Sequence, residues 1–266
     1  MTSLPAPAKV NLALVVGPRR PDGKHEVATV LQRITLADTV ILEPASTLTV
    51  EGFREDTMVR SALELLAAAA GVAPRWGATI EKRIPVAAGL GGGSSDAAAA
   101  LRLGNDSLER PLAESRLHAL AAELGADVPF FLTAGPQLGE GDGTSLTPLD
   151  ISQDYWIVLV MPQGGRKESS GAVYKEFDRR GGEAGFDERR AALRQALVLG
   201  DLAALPPNDL ASSPLAAELV EQGAFRADVT GAGPAVYGLF EEESDAVAAQ
   251  AALVPRGAVW VAGPAW

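Results

Sequence analysis

The stretch PVAAGLGGGSSD, residues 85–96, decides how the rest of the sequence is interpreted. It follows residues 78–84, which have the pattern of a strand, and it precedes the Ala-rich residues 97–103, which predict a helix. Glycine lets the backbone approach an oxyanion closely, and the free N–H groups of a helix start point towards it. A strand, a glycine loop and a helix in this order therefore predict a phosphate-binding site.

The glycine loop fits neither of two common nucleotide-binding patterns. No Gly-Lys-Ser or Gly-Lys-Thr closes it as in a Walker A loop, and its glycines lack the spacing of a dinucleotide fingerprint. Ser94 and Ser95 stand at the cap position, where their hydroxyls can bond helix N–H groups, phosphate oxygens or a cation. A tight turn with two capping serines and no ligand is the alternative that the loop alone leaves open.

The segments on either side of the loop predict a mixed α+β chain in two lobes, divided near residue 150. Residues 8–16 alternate in a way that predicts a strand with one buried face, and Lys9 and Asn11 share the opposite face. Asp56 and Thr57 are the predicted caps of a helix over residues 58–70. Further strands are predicted over residues 27–43, 155–161 and 235–240, and a further helix over residues 112–124.

The composition excludes several classes of partner. A formal net charge of -11 in 266 residues gives no basis for attraction to nucleic acid or to an anionic membrane surface. No run of about 18 uncharged apolar residues predicts a transmembrane helix, and residues 1–9 lack the pattern of a secretory signal. The absence of cysteine excludes disulfides and thiolate nucleophiles. We therefore expect a cytoplasmic protein with no nucleic-acid, membrane or obligate protein partner.

The glycine loop, read as Pro85-x3-GLGGGSSDAA, resembles the phosphate loop of the GHMP kinases, which include galactose, homoserine, mevalonate and phosphomevalonate kinases. The resemblance implies a two-lobed α+β fold with mixed sheets and packed helices. ATP and substrate would occupy the cleft between an N-terminal lobe with the phosphate loop, residues 1–150, and a C-terminal lobe, residues 151–266. ATP and Mg²⁺ are the implied cofactors, and the sequence names no metal ligand. The residues implied in ATP binding are Pro85, Val86, Ala87, Ala88, Gly89, Leu90, Gly91, Gly92, Gly93, Ser94 and Ser95.

Three further parts of the chain resemble one branch of that family, whose substrate is a cytidine diphosphate-linked methylerythritol of isoprenoid precursor biosynthesis. They are residues 6–12 with 20–26, residues 125–131, and residues 230–234. By this resemblance, Asp127 accepts the proton of the substrate 2-hydroxyl, and Lys9 balances charge on the transferred phosphoryl group. The residues implied in substrate binding are Asn11, His25, Tyr174, Gly231 and Gly233, with Tyr174 stacking on cytosine.

Two positions depart from the pattern of this branch. Lys24 occupies the position of a Tyr that stacks on cytosine, and Ala232 replaces a Ser within the glycine-containing residues 230–234. A cation does not directly replace a flat ring, so another GHMP small-molecule kinase is an alternative. A non-catalytic nucleotide-binding sensor with the same fold is a second one. Taken singly, Lys9 could also be a solvated strand residue, Asp127 a turn former and Tyr174 a core residue.

Overall fold

The computed structural model describes residues 1–53, 58–165 and 169–265. Helices and strands are mixed along these ranges, which confirms the α+β class. The strands are β1 (Thr2–Arg19), β2 (His25–Pro44), β3 (Thr49–Glu51), β4 (Trp76–Glu81), β5 (Gln137–Gly141), β6 (Ser145–Pro148), β7 (Trp156–Pro162), β8 (Arg226–Val229), β9 (Val236–Phe240) and β10 (Gly257–Ala262). The helices are α1 (Met58–Ala70), α2 (Gly92–Asp106), α3 (Glu114–Leu124), α4 (Val128–Leu132), α5 (Ser170–Arg179), α6 (Phe186–Leu199), α7 (Pro214–Glu221) and α8 (Glu243–Leu253).

The chain forms two compact units that interleave along the sequence. Unit 1 comprises Met1–Ala8, Leu36–Pro85 and Gly91–Ala134. Unit 2 comprises Lys9–Thr35, Val86–Leu90 and Gly135–Trp266. The strands β1 and β2 each contribute to both units, and neither unit coincides with residues 1–150 or 151–266. A boundary near residue 150 stays a prediction about the lobes of the family.

In unit 1, the helices α1 to α4 accompany a short sheet. Residues 39–44 of β2 pair antiparallel with β4, and β3 pairs with β4 in parallel. The helix α2 packs closely on α1 because Gly104 carries no side chain: a Cβ there would lie 2.6 Å from Cδ2 of Leu66. The buried residues 97–101, four of them alanines, add to this close packing. The packing fixes the direction of the first turn of α2.

In unit 2, four antiparallel strands form a sheet in the order β10-β7-β9-β8. Residues 157–160 of β7 are apolar without alternation and fully buried, as expected of a strand that is covered on both faces. Leu215 and Leu219 of α7, with Ala249 and Leu253 of α8, pack into one of its apolar clusters. In the same unit, residues 27–31 of β2 pair with β5, and β5 pairs with β6. The neighbouring strands β8 and β9 hold residues 230–235 between them.

Two predictions for the elements nearest the candidate site need correction. The strand β1 has both faces buried, because Lys9 and Asn11 are only 4% and 5% exposed. The helix α2 begins at Gly92 instead of residue 97, because Gly91 adopts a left-handed conformation and its carbonyl accepts the N–H of Ser95. The helix α1 covers residues 58–70 as predicted. Its proposed caps, residues 56 and 57, lie outside the described residues.

Candidate active site

Two glycine loops meet within unit 2: residues 86–90 of the first glycine loop (residues 85–95) and the second glycine loop (residues 230–235). Gly89 has a φ of +84°, and a Cβ there would lie 2.5 Å from the carbonyl oxygen of Thr230 and 3.1 Å from that of Gly233. The N–H of Ala235 donates to the carbonyl of Ala88 at 3.2 Å. Only glycine fits this approach at position 89. Gly89 and Gly233, predicted for ATP and for substrate, are thus brought together.

In unit 1, the first glycine loop ends in the first turn of α2, to which Gly92 and Gly93 belong. The cap residue Gly91 has a φ of 69° and provides no side-chain acceptor for the first N–H groups of the helix. Ser94 is half-buried, whereas Ser95 is buried and its Oγ has no hydrogen-bond partner among the described residues. Free N–H groups and the dipole of a 15-residue helix favour an anion at this end.

The start of the first glycine loop contains a strained residue. Ala87 is the one non-glycine residue with a positive φ, 55°, in the described part of the chain. Val86 and Ala87 are exposed, whereas Ala88 and Leu90 are buried, and Pro85 precedes them in unit 1. Such a conformation costs on the order of 1 kcal/mol and is found mostly where a loop serves a ligand.

Lys9 and Asn11 converge on the second glycine loop in unit 2. The ammonium of Lys9 donates to Oδ1 of Asn11. The backbone N–H of Asn11 donates to Oγ1 of Thr230 at 2.9 Å, and Nδ2 of Asn11 donates to Oγ1 of Thr29 at 2.8 Å. A Cβ at Gly231 would lie 3.4 Å from both Lys9 Nζ and Asn11 Oδ1. We call Lys9, Asn11, Thr230 and Gly231 the Lys9 cluster, which offers a buried cation beside a glycine loop.

His25 and Tyr174, the residues predicted to hold the base, are in direct contact. Their rings stack with centroids 4.8 Å apart, and the ring of Phe177 is perpendicular to that of His25, with centroids 5.8 Å apart. The imidazole Nε2 lies 2.7 Å from Oδ1 of Asp178, and Oδ2 of Asp178 lies 3.2 Å from Nε of Arg19. Residues 174, 177 and 178 share one face of α5 by helical spacing. This helix therefore fixes the orientation of His25.

Lys24, at the position of the expected Tyr, is held in an ion pair. Its Nζ lies 2.5 Å from Oδ2 of Asp142, and the lysine side chain is 53% exposed. Burial raises the pKa of Asp142, but hydrogen bonds from Lys24 and Thr144 outweigh it and lower that pKa to about 2. The position thus offers a paired cation and no ring.

Asp127 belongs to unit 1, where it immediately precedes α4. It is half-buried, and its side chain makes no capping hydrogen bond to the helix. The helix α4 itself is buried along its whole length, which holds the backbone of residue 127 in place. Lys9 belongs to unit 2, so the reactive pair of Lys9 and Asp127 stays a prediction.

Two residues that support the site in unit 2 were not predicted from the sequence. Asn208 donates from Nδ2 to the carbonyl of Val229 at 2.8 Å and to that of Gly231 at 2.7 Å. Asp178 is the second, through its bond to His25. The segment PPND, residues 206–209, has the pattern of a turn and was the one signal that could have drawn attention to Asn208.

The described ranges 1–53, 58–165 and 169–265 contain neither an acidic metal cluster nor a membrane-spanning helix. No group of three or more His, Asp or Glu side chains there comes together to hold a metal ion. No helix within these ranges is long and apolar enough to cross a membrane.

Comparison with known proteins places this geometry in a family. Residues 57–135 match the GHMP kinases N terminal domain, and residues 192–257 match the GHMP kinases C terminal model. The 4-diphosphocytidyl-2-C-methyl-D-erythritol kinase of Nocardia farcinica is 43% identical over 276 residues, which cover 95% of this chain and 89% of the relative. That of Geobacter sulfurreducens is 38% identical and covers 98% of this chain and 96% of its own.

Solved structures give the same result for the fold. A crystal structure of 4-(cytidine 5'-diphospho)-2C-methyl-D-erythritol kinase matches with a TM-score of 0.82 and 32% identity over 100% of both chains. A mevalonate kinase matches with a TM-score of 0.75 at 13% identity over 99% of both chains, which shows the fold alone. The chain belongs to the GHMP kinases, and among these small-molecule kinases to the family of the 4-diphosphocytidyl-2-C-methyl-D-erythritol kinases.

Proposed function

We propose that this chain transfers the γ-phosphoryl group of ATP to the 2-hydroxyl of 4-diphosphocytidyl-2-C-methyl-D-erythritol, in isoprenoid precursor biosynthesis. The observation that carries the proposal is the Lys9 cluster, in which a buried ammonium and an ordered amide lie beside Gly231. The names of relatives that align over nearly the whole chain support the substrate.

ATP would bind at the first glycine loop. In unit 1, the start of α2 offers N–H groups without a side-chain acceptor, and the buried Oγ of Ser95 lacks a partner among the described residues. Both features suit phosphate oxygens, which only accept hydrogen bonds. Mg²⁺ bound together with ATP would supply positive charge to the phosphates, and the described ranges hold no acidic cluster that would bind it separately.

The reaction breaks the bond between the γ-phosphorus and the β–γ bridging oxygen, and it forms a bond from the substrate oxygen to that phosphorus. ADP leaves with the bridging oxygen. Asp127 would take the proton of the hydroxyl, and Lys9 would stabilise negative charge on the phosphoryl oxygens. His25 and Tyr174 would hold the cytosine end, because an aromatic face on a base contributes about 1–3 kcal/mol.

The test is ADP release by the purified chain with Mg²⁺ and ATP, with the phosphorylated product identified by ³¹P NMR. The acceptors to compare are the cytidyl compound, the same compound without cytidine, homoserine and mevalonate. Selective turnover of the cytidyl compound is expected. Selective turnover of another alcohol would contradict the proposed substrate but not the membership of the GHMP kinases. ATP binding without turnover of any acceptor would favour a non-catalytic nucleotide sensor.

A further inference from the structure

A buried aspartate, Asp38, connects several parts of unit 1. It has no exposed surface. Its Oδ1 accepts hydrogen bonds from the backbone N–H groups of Arg83, at 2.5 Å, and Ile84, at 2.8 Å. Its Oδ2 accepts one from the ammonium of Lys82. One carboxylate thus fixes three consecutive residues, which lie between the end of β4 and Pro85.

Lys82 extends this anchor to the start of α2. Its Nζ donates to Oδ2 of Asp96 at 2.8 Å, and Asp96 lies in the second turn of that helix. A Cβ at Gly92 would lie 3.3 Å from the same Nζ, so the ammonium rests against the first residue of α2. The ring of Phe53 lies 5.7 Å from Nζ. We call Asp38, Lys82 and Asp96 the loop anchor.

The charges of the loop anchor are closely balanced. With both carboxylates ionised, the cluster would carry one excess negative charge beside a helix start, where an anion is to bind. Burial raises the pKa of Asp96 to about 7, although the hydrogen bond and charge of Lys82 act against it. Burial lowers the pKa of Lys82, but its bonds to Asp38 and Asp96 outweigh this and raise it. Lys82 therefore remains a cation.

A buried ionic cluster is weak evidence of added stability, and in some proteins it instead specifies one arrangement of the chain. Apolar residues of similar volume often stabilise a protein as well or better. The arrangement here joins residues 82–84, which enter the first glycine loop, to the first turn of α2, which leaves it. Both segments belong to unit 1. The loop anchor therefore sets the spacing between the two ends of that loop.

We propose that Asp38 is a positioning residue for nucleotide binding, because it fixes the two ends of the first glycine loop through residues 82–84 and Lys82. The proposal rests on the proposed binding of ATP by that loop. Asp38 acts through the backbone and through Lys82. Its loss should weaken the binding of ATP and leave the acceptor site unchanged.

Asp38→Asn is the direct test. The amide oxygen can still accept the two backbone N–H groups, whereas the amide nitrogen cannot accept the proton of Lys82. We expect the KM for ATP to rise about tenfold, since a hydrogen bond to a charged group is lost. The KM for the alcohol should stay within about twofold of the wild-type value.

Lys82→Met provides a second variant if Asp38→Asn folds poorly. It removes the same connection and leaves the two backbone hydrogen bonds of Asp38 intact. The double variant should bind ATP no more weakly than the weaker single variant, because one link is lost only once. Additive losses, which independent sites would give, would contradict this part of the proposal.

Asp209→Asn is the matched control. Asp209, in unit 2, also accepts a backbone N–H, from Val16 at 2.8 Å, and pairs with a cation, Arg189, at 3.0 Å. The substitution Asp209→Asn should lower Tm and leave the KM for ATP unchanged. If Asp38→Asn and Lys82→Met behave in the same way, Asp38 is structural and the proposal is wrong.

The increase in Tm caused by MgATP tests the role of Asp38 separately from the proposed function, because this measurement requires no alcohol acceptor. A wild-type chain that is stabilised by MgATP but phosphorylates no alcohol would contradict the proposed function. A smaller stabilisation of Asp38→Asn than of Asp209→Asn would still support the positioning role. A wild-type chain that does not respond to MgATP would contradict both.

Discussion

Asp178 accepts a hydrogen bond from Nε2 of His25 across 2.7 Å, while the guanidinium of Arg19 lies 3.2 Å from the other oxygen of the same carboxylate. An ionised carboxylate can only accept, so Nε2 carries the proton. A neutral imidazole in this tautomer has its lone pair on Nδ1. If His25 binds the substrate as proposed, this tautomer would present Nδ1 as the acceptor for an N–H or O–H group.

The tautomer of His25 can be measured directly. Long-range ¹H–¹⁵N spectra of ¹⁵N-histidine-labelled protein should show the Nε2–H form at a pH of about 7.5. The chain has two histidines, so His118 serves as the internal reference. Asp178→Ala should move the His25 signals towards a tautomeric average and leave those of His118 in place. An unchanged His25 spectrum in that variant would show that Asp178 does not set the tautomer.

The contact of the two glycine loops predicts an unequal pair of alanine variants. Gly89 and Gly135 both have a positive φ, +84° and +67°, but nothing lies within 4 Å of a Cβ at Gly135. Gly135→Ala should reduce the free energy of unfolding by about 1–2 kcal/mol, the cost of the backbone conformation. Gly89→Ala should reduce it further and also weaken ATP binding, as calorimetry would measure. Equal effects would contradict the close contact of Gly89 with Thr230.

Asp127 should matter for turnover and not for nucleotide binding. If it accepts the substrate proton, Asp127→Asn should reduce kcat by about 10²–10⁴-fold, the usual contribution of a general base. The rise of Tm with MgATP should remain. Glu123→Gln, at an exposed position of α3, is the control and should turn over as the wild type does. Wild-type turnover in Asp127→Asn would exclude the assigned role.

The raised pKa of Asp96 predicts how the free energy of unfolding depends on pH. Its pKa is raised by burial from 3.8 to about 7 in the folded chain, so the folded state binds this proton more tightly than the unfolded state. The resulting stability is fully present below the unfolded pKa and is lost as the pH rises through about 7. Urea denaturation should show a decrease in the free energy of unfolding, on the order of a few kcal/mol, between about pH 4 and pH 8.

Asp96→Asn isolates this contribution, because the amide resembles the protonated acid in shape and charge. The variant should lose less of its free energy of unfolding over the same pH range. The charged groups that face residue 96 are Lys82 and Asp38, and both remain in the variant. Identical pH profiles of wild type and variant would show that Asp96 does not titrate in this range.

The sequence predicted those parts of the site whose chemistry lies in a local pattern. The two glycine loops are each recognisable within about a dozen residues, whereas α2 starts at Gly92, five residues before the predicted start at residue 97. Asp178, Asp38 and Asn208 are not, because their partners lie 153, 46 and 23 residues away. A single polar residue carries no signal of a contact at such distances.

The strand β1 shows a second limit of pattern analysis. The alternation of Lys9 and Asn11 with apolar residues resembles the solvent-facing side of a half-buried strand. In the structure both residues are buried, because they face the second glycine loop instead of water. Polar residues that line a site and polar residues that face solvent have the same periodicity, so position in the fold is needed to separate them.

The contact of Gly89 with Thr230 has a consequence for folding during synthesis of the chain. Residues 86–90 contact residues 230–235, which the ribosome adds about 140 residues later. A nascent or prematurely terminated chain therefore lacks the finished loop, however well its earlier segments have formed. We therefore expect residues 86–90 to reach the conformation seen here only after residues 230–235 have been synthesised.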